Sequence, residues 1–197
     1  MTQKEKADRF QALHQSKDVL LFPNPWDGGS ARLLENLGYR ALATSSAACA
    51  ATLGRRDGKI TRDEALAHCR QIVQATNLPV AADLENGFAV EPTTVAETIR
   101  LAAAAGLVGG SIEDSTGDKD KPQYDLSLAT DRIAAAVSAA RALPFHFTLT
   151  ARAEKRRVKS ARTWMTLVWT RSLHLKFSAG FRKIFPPRVS RHPLWPG

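Results

Sequence analysis

The chain is poor in cysteine, with two in 197 residues, Cys49 and Cys69. Neither sits at a metal-ligand spacing. That argues against a disulfide scaffold and a zinc cluster, and for a reducing, cytoplasmic setting. No apolar run reaches the roughly 18 residues of a spanning helix, so no membrane partner is expected. Residues 1–18 are polar and charged, without the pattern of a secretory signal. No G-x-G-x-x-G follows the first apolar run and no Walker A motif occurs, which removes the common phosphate-cradling loops. Acidic residues are missing from Lys155 to Gly197, a stretch that holds eleven of the 28 Lys and Arg and none of the 19 Asp and Glu. Residues 1–154 therefore carry a net charge of −2, and the pI near 10 belongs to the last 43 residues. Three of the four tryptophans, Trp164, Trp169 and Trp195, lie there too.

What is present in residues 1–154 is an alternation of short apolar runs and helical patterns. Apolar runs at 19–22, 41–44, 79–82, 108–112 and 145–149 predict five strands. Helices are predicted over 28–37 with Gly38 at the C-cap, and over 62–75 with Thr61 and Glu64 as a capping box. Two more are predicted, from Thr93 or Thr94 to 105 and over 126–142. Strand and helix alternating at a period near 30 residues predict α/β architecture with a parallel sheet. Either an open doubly wound sheet or a (β/α)₈ barrel satisfies that alternation. Polar residues close every run: Asn24 and Asp27, Ser45 and Ser46, Asp83 and Glu85, Glu113, then Arg152. Function shared among many strand ends at one face favours the barrel.

The densest signal is two carboxylate clusters at successive strand ends, Asp83-Leu84-Glu85-Asn86-Gly87 and Glu113-Asp114. An unpaired buried charge is costly, so acids ending buried strands imply a role. Mg²⁺ takes one or two carboxylates plus waters and substrate oxygens. Asp83 and Glu85 are two apart, and on a straight strand both leave the same face.

Six stretches occur in an order and spacing that resemble the isocitrate lyase/phosphoenolpyruvate mutase superfamily, over residues 18–154. They are Pro25-Trp26-Asp27-Gly28-Gly29-Ser30-Ala31-Arg32, Thr44-Ser45-Ser46, Arg56-Asp57-Gly58, Asp83-Leu84-Glu85-Asn86-Gly87-Phe88, Ser111-Ile112-Glu113-Asp114 and Thr150-Ala151-Arg152. The resemblance implies the first five βα units of a (β/α)₈ barrel. It implies a Mg²⁺-dependent enzyme, lyase- or mutase-like, that makes or breaks a C–C or P–C bond beside the carboxylate of a 2-oxo acid or phosphonate. By the same resemblance Asp83 matches the direct metal ligand, and Asp57, Glu85 and Glu113 match acids that hold the metal largely through waters. Ser45 and Ser46 match the turn that binds the substrate carboxylate, and Arg152 matches the arginine that clamps it. Asp57 and Arg152 are thus the candidate catalytic residues, and a homo-oligomer is implied for the intact family. The Lys-Lys-Cys-Gly-His signature of isocitrate and methylisocitrate lyases is absent. Its place reads Ser115-Thr116-Gly117-Asp118-Lys119-Asp120-Lys121-Pro122, without cysteine or histidine. A mutase, hydrolase or decarboxylase-like relative fits better than an isocitrate lyase.

Plainer readings apply to other residues. Asp27 is placed to start the helix at Gly28. His68 and His146 read as structural, and Cys49 and Cys69 as buried thiols. Asp114 reads as the solvated partner of Glu113, and residues 118–121 as a solvated loop. After Glu154 the chain reads as an aberrant basic tail, 155–197. Back-translated with CGN codons, Arg162-Thr163-Trp164-Met165-Thr166 permits Pro-Asp-Leu-Asp-Asp in the neighbouring frame and forces its last two acids. The expectation is translation out of frame, an unclosed barrel and an inactive chain. The alternative is a remnant whose basic, aromatic tail contacts nucleic acid, although no nucleic-acid motif is present.

Overall fold

Alternating side chains on four short strands divide this fold into a helix-covered face and a cavity-lining face. A computed structural model describes residues 1–153. Every expectation about residues 155–197 lies outside the described residues. The elements run α1 (Gln3–Gln15), α2 (Gly28–Asn36), β1 (Leu42–Ala43), α3 (Ser46–Thr52), α4 (Arg62–Ala75), β2 (Val80–Asp83), α5 (Pro92–Ala104), β3 (Gly109–Glu113), α6 (Leu126–Arg141) and β4 (Thr148–Arg152). The sheet order is β1-β2-β3-β4 and every pairing is parallel. A parallel α/β sheet with strands adjacent in chain order is consistent with part of a TIM-like barrel.

The helices form where their termini are satisfied and one stripe is apolar. Thr61 and Glu64 cap α4 reciprocally, as their spacing predicts. α4 then buries Leu66, Cys69 and Ile72. α5 starts earlier than Thr93, with Pro92 in its first turn, where a missing N–H costs nothing. α6 buries Ile133, Ala136 and Ala140. These stripes meet the outer side chains Leu42, Val80, Ala82, Ile112 and Leu149 in one apolar cluster.

Two helices were not expected. α1 has its own capping box, Thr2 with Glu5. It crosses the amino ends of the strands, where Lys6 Nζ donates to the Thr76 carbonyl at 2.9 Å and Gln3 Nε2 to that of Leu107 at 2.9 Å. Phe10 plugs this end: a Cβ on Gly109 would sit 2.9 Å from its ring and 2.8 Å from the Thr148 carbonyl oxygen. α3 is a seven-residue helix capped by Ser45.

Four strands are present among the described residues, not five. Residues 19–22 lack ladder pairing, although the Pro23 carbonyl accepts from Ala43 N at 3.2 Å. Val19 and Leu21 are exposed, at 68% and 66%, and only Leu20 of that run packs against an apolar cluster. The last strand begins at Thr148, not at Phe145. Leu33 and Leu37 at the carboxyl end of α2 are also exposed, at 60% and 66%.

Candidate functional site at the carboxyl ends of the strands

Register places the polar residues in rows across the concave face. Asp83 pairs with Ser111, which pairs with Thr150, and Glu113 pairs with Arg152. Arg152 is therefore on β4 itself, and its register partner is one of the acids.

The acids and their partners converge there. Arg152 Nη1 lies 3.3 Å from Asp83 Oδ1 and its Nη2 lies 3.1 Å from Glu113 Oε2. One guanidinium thus spans both carboxylates. Ser46 Oγ is 2.9 Å from Asp83 Oδ2 and 3.0 Å from Asp57 Oδ1, and its single proton can serve only one of them at a time. Ser46 N donates to Asp83 Oδ2 at 3.2 Å. Asp83 is held from behind by its own N–H, which donates to Thr44 Oγ1 at 3.2 Å. Ser45 lines the same cavity, but its hydroxyl accepts from Ala48 N as the cap of α3.

Glu85 joins the cluster by a route that strand alternation does not give. β2 ends at Asp83, and Glu85 sits in the left-handed region with φ of 47°. Its N–H donates to Asp83 Oδ1 at 3.1 Å, and its carbonyl accepts from Glu113 N at 2.9 Å. Burial, then the negative charges of Asp83, Asp57 and Glu113, push its carboxyl up to about 7. Glu85 Oε1 is buried and has no hydrogen-bond partner.

Asp114 is not solvated. It lies just beyond β3 and is 2% exposed, and its carbonyl accepts from Tyr124 N at 3.0 Å. Residues 118–121 are exposed as expected. Asp27 caps α2 through Ser30 N at 2.7 Å. His68 is buried with Nε2 2.7 Å from the Trp26 carbonyl, a structural contact. Cys49 and Cys69 are buried free thiols, and burial pushes the Cys69 thiol up to about 12.

A cavity of about 340 Å³ runs from this rim to the α1 plug. Ala43, Ala81, Ser111 and Thr150 line its wall, Asp83 and Arg152 its rim, and Phe10, His14 and Phe22 its amino end. Among the described residues no three of His, Cys, Asp and Glu stand close enough to enclose one ion as direct ligands. No helix of the described residues is long and apolar enough to cross a membrane.

A parallel α/β sheet with its acids, serines and arginine gathered at the strands' carboxyl ends defines the class of barrel-type folds that carry their sites at that face. The chain belongs to the phosphoenolpyruvate phosphomutase family, which it matches over residues 10–191. That match runs past Glu154, into the segment set apart by its composition. A 2-methylisocitrate lyase of Halalkalibacterium halodurans is 35% identical over 114 residues, which are 57% of this chain and 38% of that one. A Burkholderia cenocepacia J2315 protein assigned as a lyase/mutase is 50% identical in structure-based alignment, with a TM-score of 0.83. The alignment covers 86% of this chain and 63% of that one. 2,3-Dimethylmalate lyase, a PEP mutase/isocitrate lyase superfamily member, is 25% identical with a TM-score of 0.75, covering 84% and 59%. The chain thus spans less than two thirds of the length of each.

Proposed function

We propose that the chain carries Mg²⁺-dependent chemistry on a small 2-oxo acid or phosphonate, making or breaking the C–C or C–P bond beside the carboxylate through an enolate-like species. The observation that carries this reading is one guanidinium joining Asp83 to Glu113 while Ser46 joins Asp83 to Asp57. Asp83 and Glu113 flank one arginine and Asp57 and Glu85 lie near enough to add their charge, so the local excess of negative charge calls for a counter-ion.

The donor set suits Mg²⁺. All its donors are hard oxygens, Glu85 Oε1 is buried without a partner, and an ion that keeps several waters needs few direct ligands. Asp83, nearest the centre, is the direct ligand in this reading, with Asp57, Glu85 and Glu113 acting through waters. When bound, the ion supplies Lewis-acid polarisation of a substrate oxygen. The chain's own groups do the remaining work. With a cation held at Asp83 and Glu113, Arg152 would be free to grip the substrate carboxylate through two parallel N–H donors. The same guanidinium stabilises negative charge as it develops on the enolate. Ser45, which lines the cavity as the cap of α3, and Ser46, the first residue of that helix, hold the same carboxylate from the other side in this reading. Without a cysteine or histidine in residues 115–122, the lyase chemistry of isocitrate is not part of this proposal.

The test is turnover of oxaloacetate and phosphonopyruvate by the full chain, with and without Mg²⁺. Asp83→Ala is expected to lower Mg²⁺-dependent kcat/KM by about 10²-fold or more, the scale of a lost electrostatic stabiliser. A variant as active as the parent, or turnover indifferent to Mg²⁺, sinks the proposal.

A further inference from the structure

The strangest backbone in the described residues carries Glu85. Both Glu85 and Phe88 are non-glycine residues at positive φ, 47° and 57°, with Gly87 at 77° between them. Side chains rarely adopt that conformation unless the surroundings impose it. Something must therefore hold the β2–α5 loop in place.

The holder is the only arginine in the described residues that is fully buried. Arg132, on α6, is 1% exposed. Its Nη2 donates to the Asn86 carbonyl, and its guanidinium carbon lies 3.8 Å from the centroid of the Tyr124 ring. Asn86 Nδ2 reaches the Tyr124 hydroxyl at 3.4 Å, and Asn86 Oδ1 accepts from Phe88 N at 3.1 Å. Asn86 is thus gripped at its carbonyl by α6 and at its side chain by the segment that leads into α6. The residue before it is Glu85, and the Glu85 carbonyl is in turn bonded to Glu113 N. Arg132 touches no acid of the site in these contacts. An arginine taken wholly out of water is costly to keep, and here Nη2 goes to the loop and the guanidinium lies over the Tyr124 ring, while Nη1 is buried without a hydrogen-bond partner.

We infer that Arg132, with Tyr124, is a positioning residue that locks the loop 84–88 so that Glu85 faces Asp57, Asp83 and Glu113. The inference rests on the proposed cation site for its functional consequence, but the loop contact itself is independent of any ion. Lysine donates to a carbonyl but cannot also lay a flat cation over a ring, so it restores only part of the function. Tyr124→Phe keeps the ring and removes the hydroxyl, which gives a milder break.

Two measurements on the full chain decide it, with Ile133→Ala as control. Ile133 neighbours Arg132 in the α6 core and contributes only apolar burial. The first is hydrogen exchange of the Phe88 and Glu113 amides in chelator. Arg132→Met is expected to speed both at least tenfold beyond Ile133→Ala, and Tyr124→Phe to speed Phe88 severalfold. The second is Mn²⁺ titration followed by its paramagnetic resonance signal. Arg132→Met is expected to weaken Mn²⁺ about fivefold to tenfold, Arg132→Lys by less, and Ile133→Ala not at all. Exchange equal to the Ile133→Ala control in both Arg132→Met and Tyr124→Phe overturns the inference. If the parent chain binds no Mn²⁺, the cation reading fails, and hydrogen exchange still decides the loop.

Discussion

The two faces of one four-stranded sheet share a backbone and little else. On the outer face Leu42, Val80, Ala82, Ile112 and Leu149 are all buried in the helix-packed core. On the inner face the same strands present Ala43, Asp83, Ser111, Thr150 and Arg152 to a cavity. Period-two alternation is the whole cause, since neighbouring residues point to opposite sides. The difference teaches where each kind of free energy resides. Burial on the outer side holds the fold, whereas the inner side accumulates like charge that opposes folding and invites a ligand. Adjacent residues on one strand should therefore respond to mutation in opposite ways.

Ile112 and Ser111 break that comparison most sharply. Ile112 is fully buried, so Ile112→Ala is expected to cost about 2–5 kcal/mol through lost burial and an unfilled cavity. Ser111→Ala, one residue away, is expected to stay within about 0.5 kcal/mol. Denaturant unfolding of both variants measures this, and similar losses would mean that the two faces share one structural job.

Arg152 sharpens the comparison from the inner side. Lysine keeps the charge but cannot span Asp83 and Glu113 with a planar fork. Losing a charged hydrogen bond of about 1.5–3 kcal/mol corresponds to roughly 10–100-fold in kcat/KM. Stability is expected to move by less than about 1 kcal/mol, because the Arg152 side chain is 41% exposed and solvent screens it. A large stability loss with unchanged kinetics would reassign Arg152 to the scaffold.

Much of the outer layer was legible because it obeys simple periods. The α4 box and the apolar runs of β2 and β3 announce themselves in types and spacing. α1 was hidden by its charge: of its 13 residues only Lys6, Ala7, Phe10 and Leu13 are buried. The Thr2–Glu5 capping spacing was the signal available there. α3 was hidden by its brevity, although Ser45 before an alanine-rich stretch is a cap followed by a strong helix former. Residues 19–22 have a strand's composition, but packing and ladder contacts are what make a strand, and that run has neither on most of its length. The site acids were legible through the family resemblance. The same-face argument for Asp83 and Glu85 anticipated their convergence but not its means, a left-handed turn instead of a straight strand. Arg132 and Tyr124 left no pattern, since a cation over a ring eight residues away has no period to read.

Glu85→Gln carries the smallest expected effect and tests the inner face's charge directly. Glu85 holds its proton more tightly in the folded chain, titrating near 7 against an ordinary 4.5, chiefly because burial disfavours the charge. Between those values the native state binds more protons than the unfolded state, so stability falls as pH rises from about 4.5 through 7. The penalty is complete above the folded value and vanishes below the unfolded one. A shift of this size, discounted for a side chain only half withdrawn from water, corresponds to about 1–2 kcal/mol. In chelator the Gln variant is therefore expected to be more stable than the parent by that amount near pH 8, and equal to it near pH 4.5. Mg²⁺ is expected to reverse the order at pH 8, because an ion that binds only the folded state stabilises it and the parent offers it one more carboxylate. Urea midpoints at the two pH values, with and without Mg²⁺, measure all four states. If the Gln variant is no more stable than the parent in chelator at pH 8, charge among these acids is not what the inner face stores.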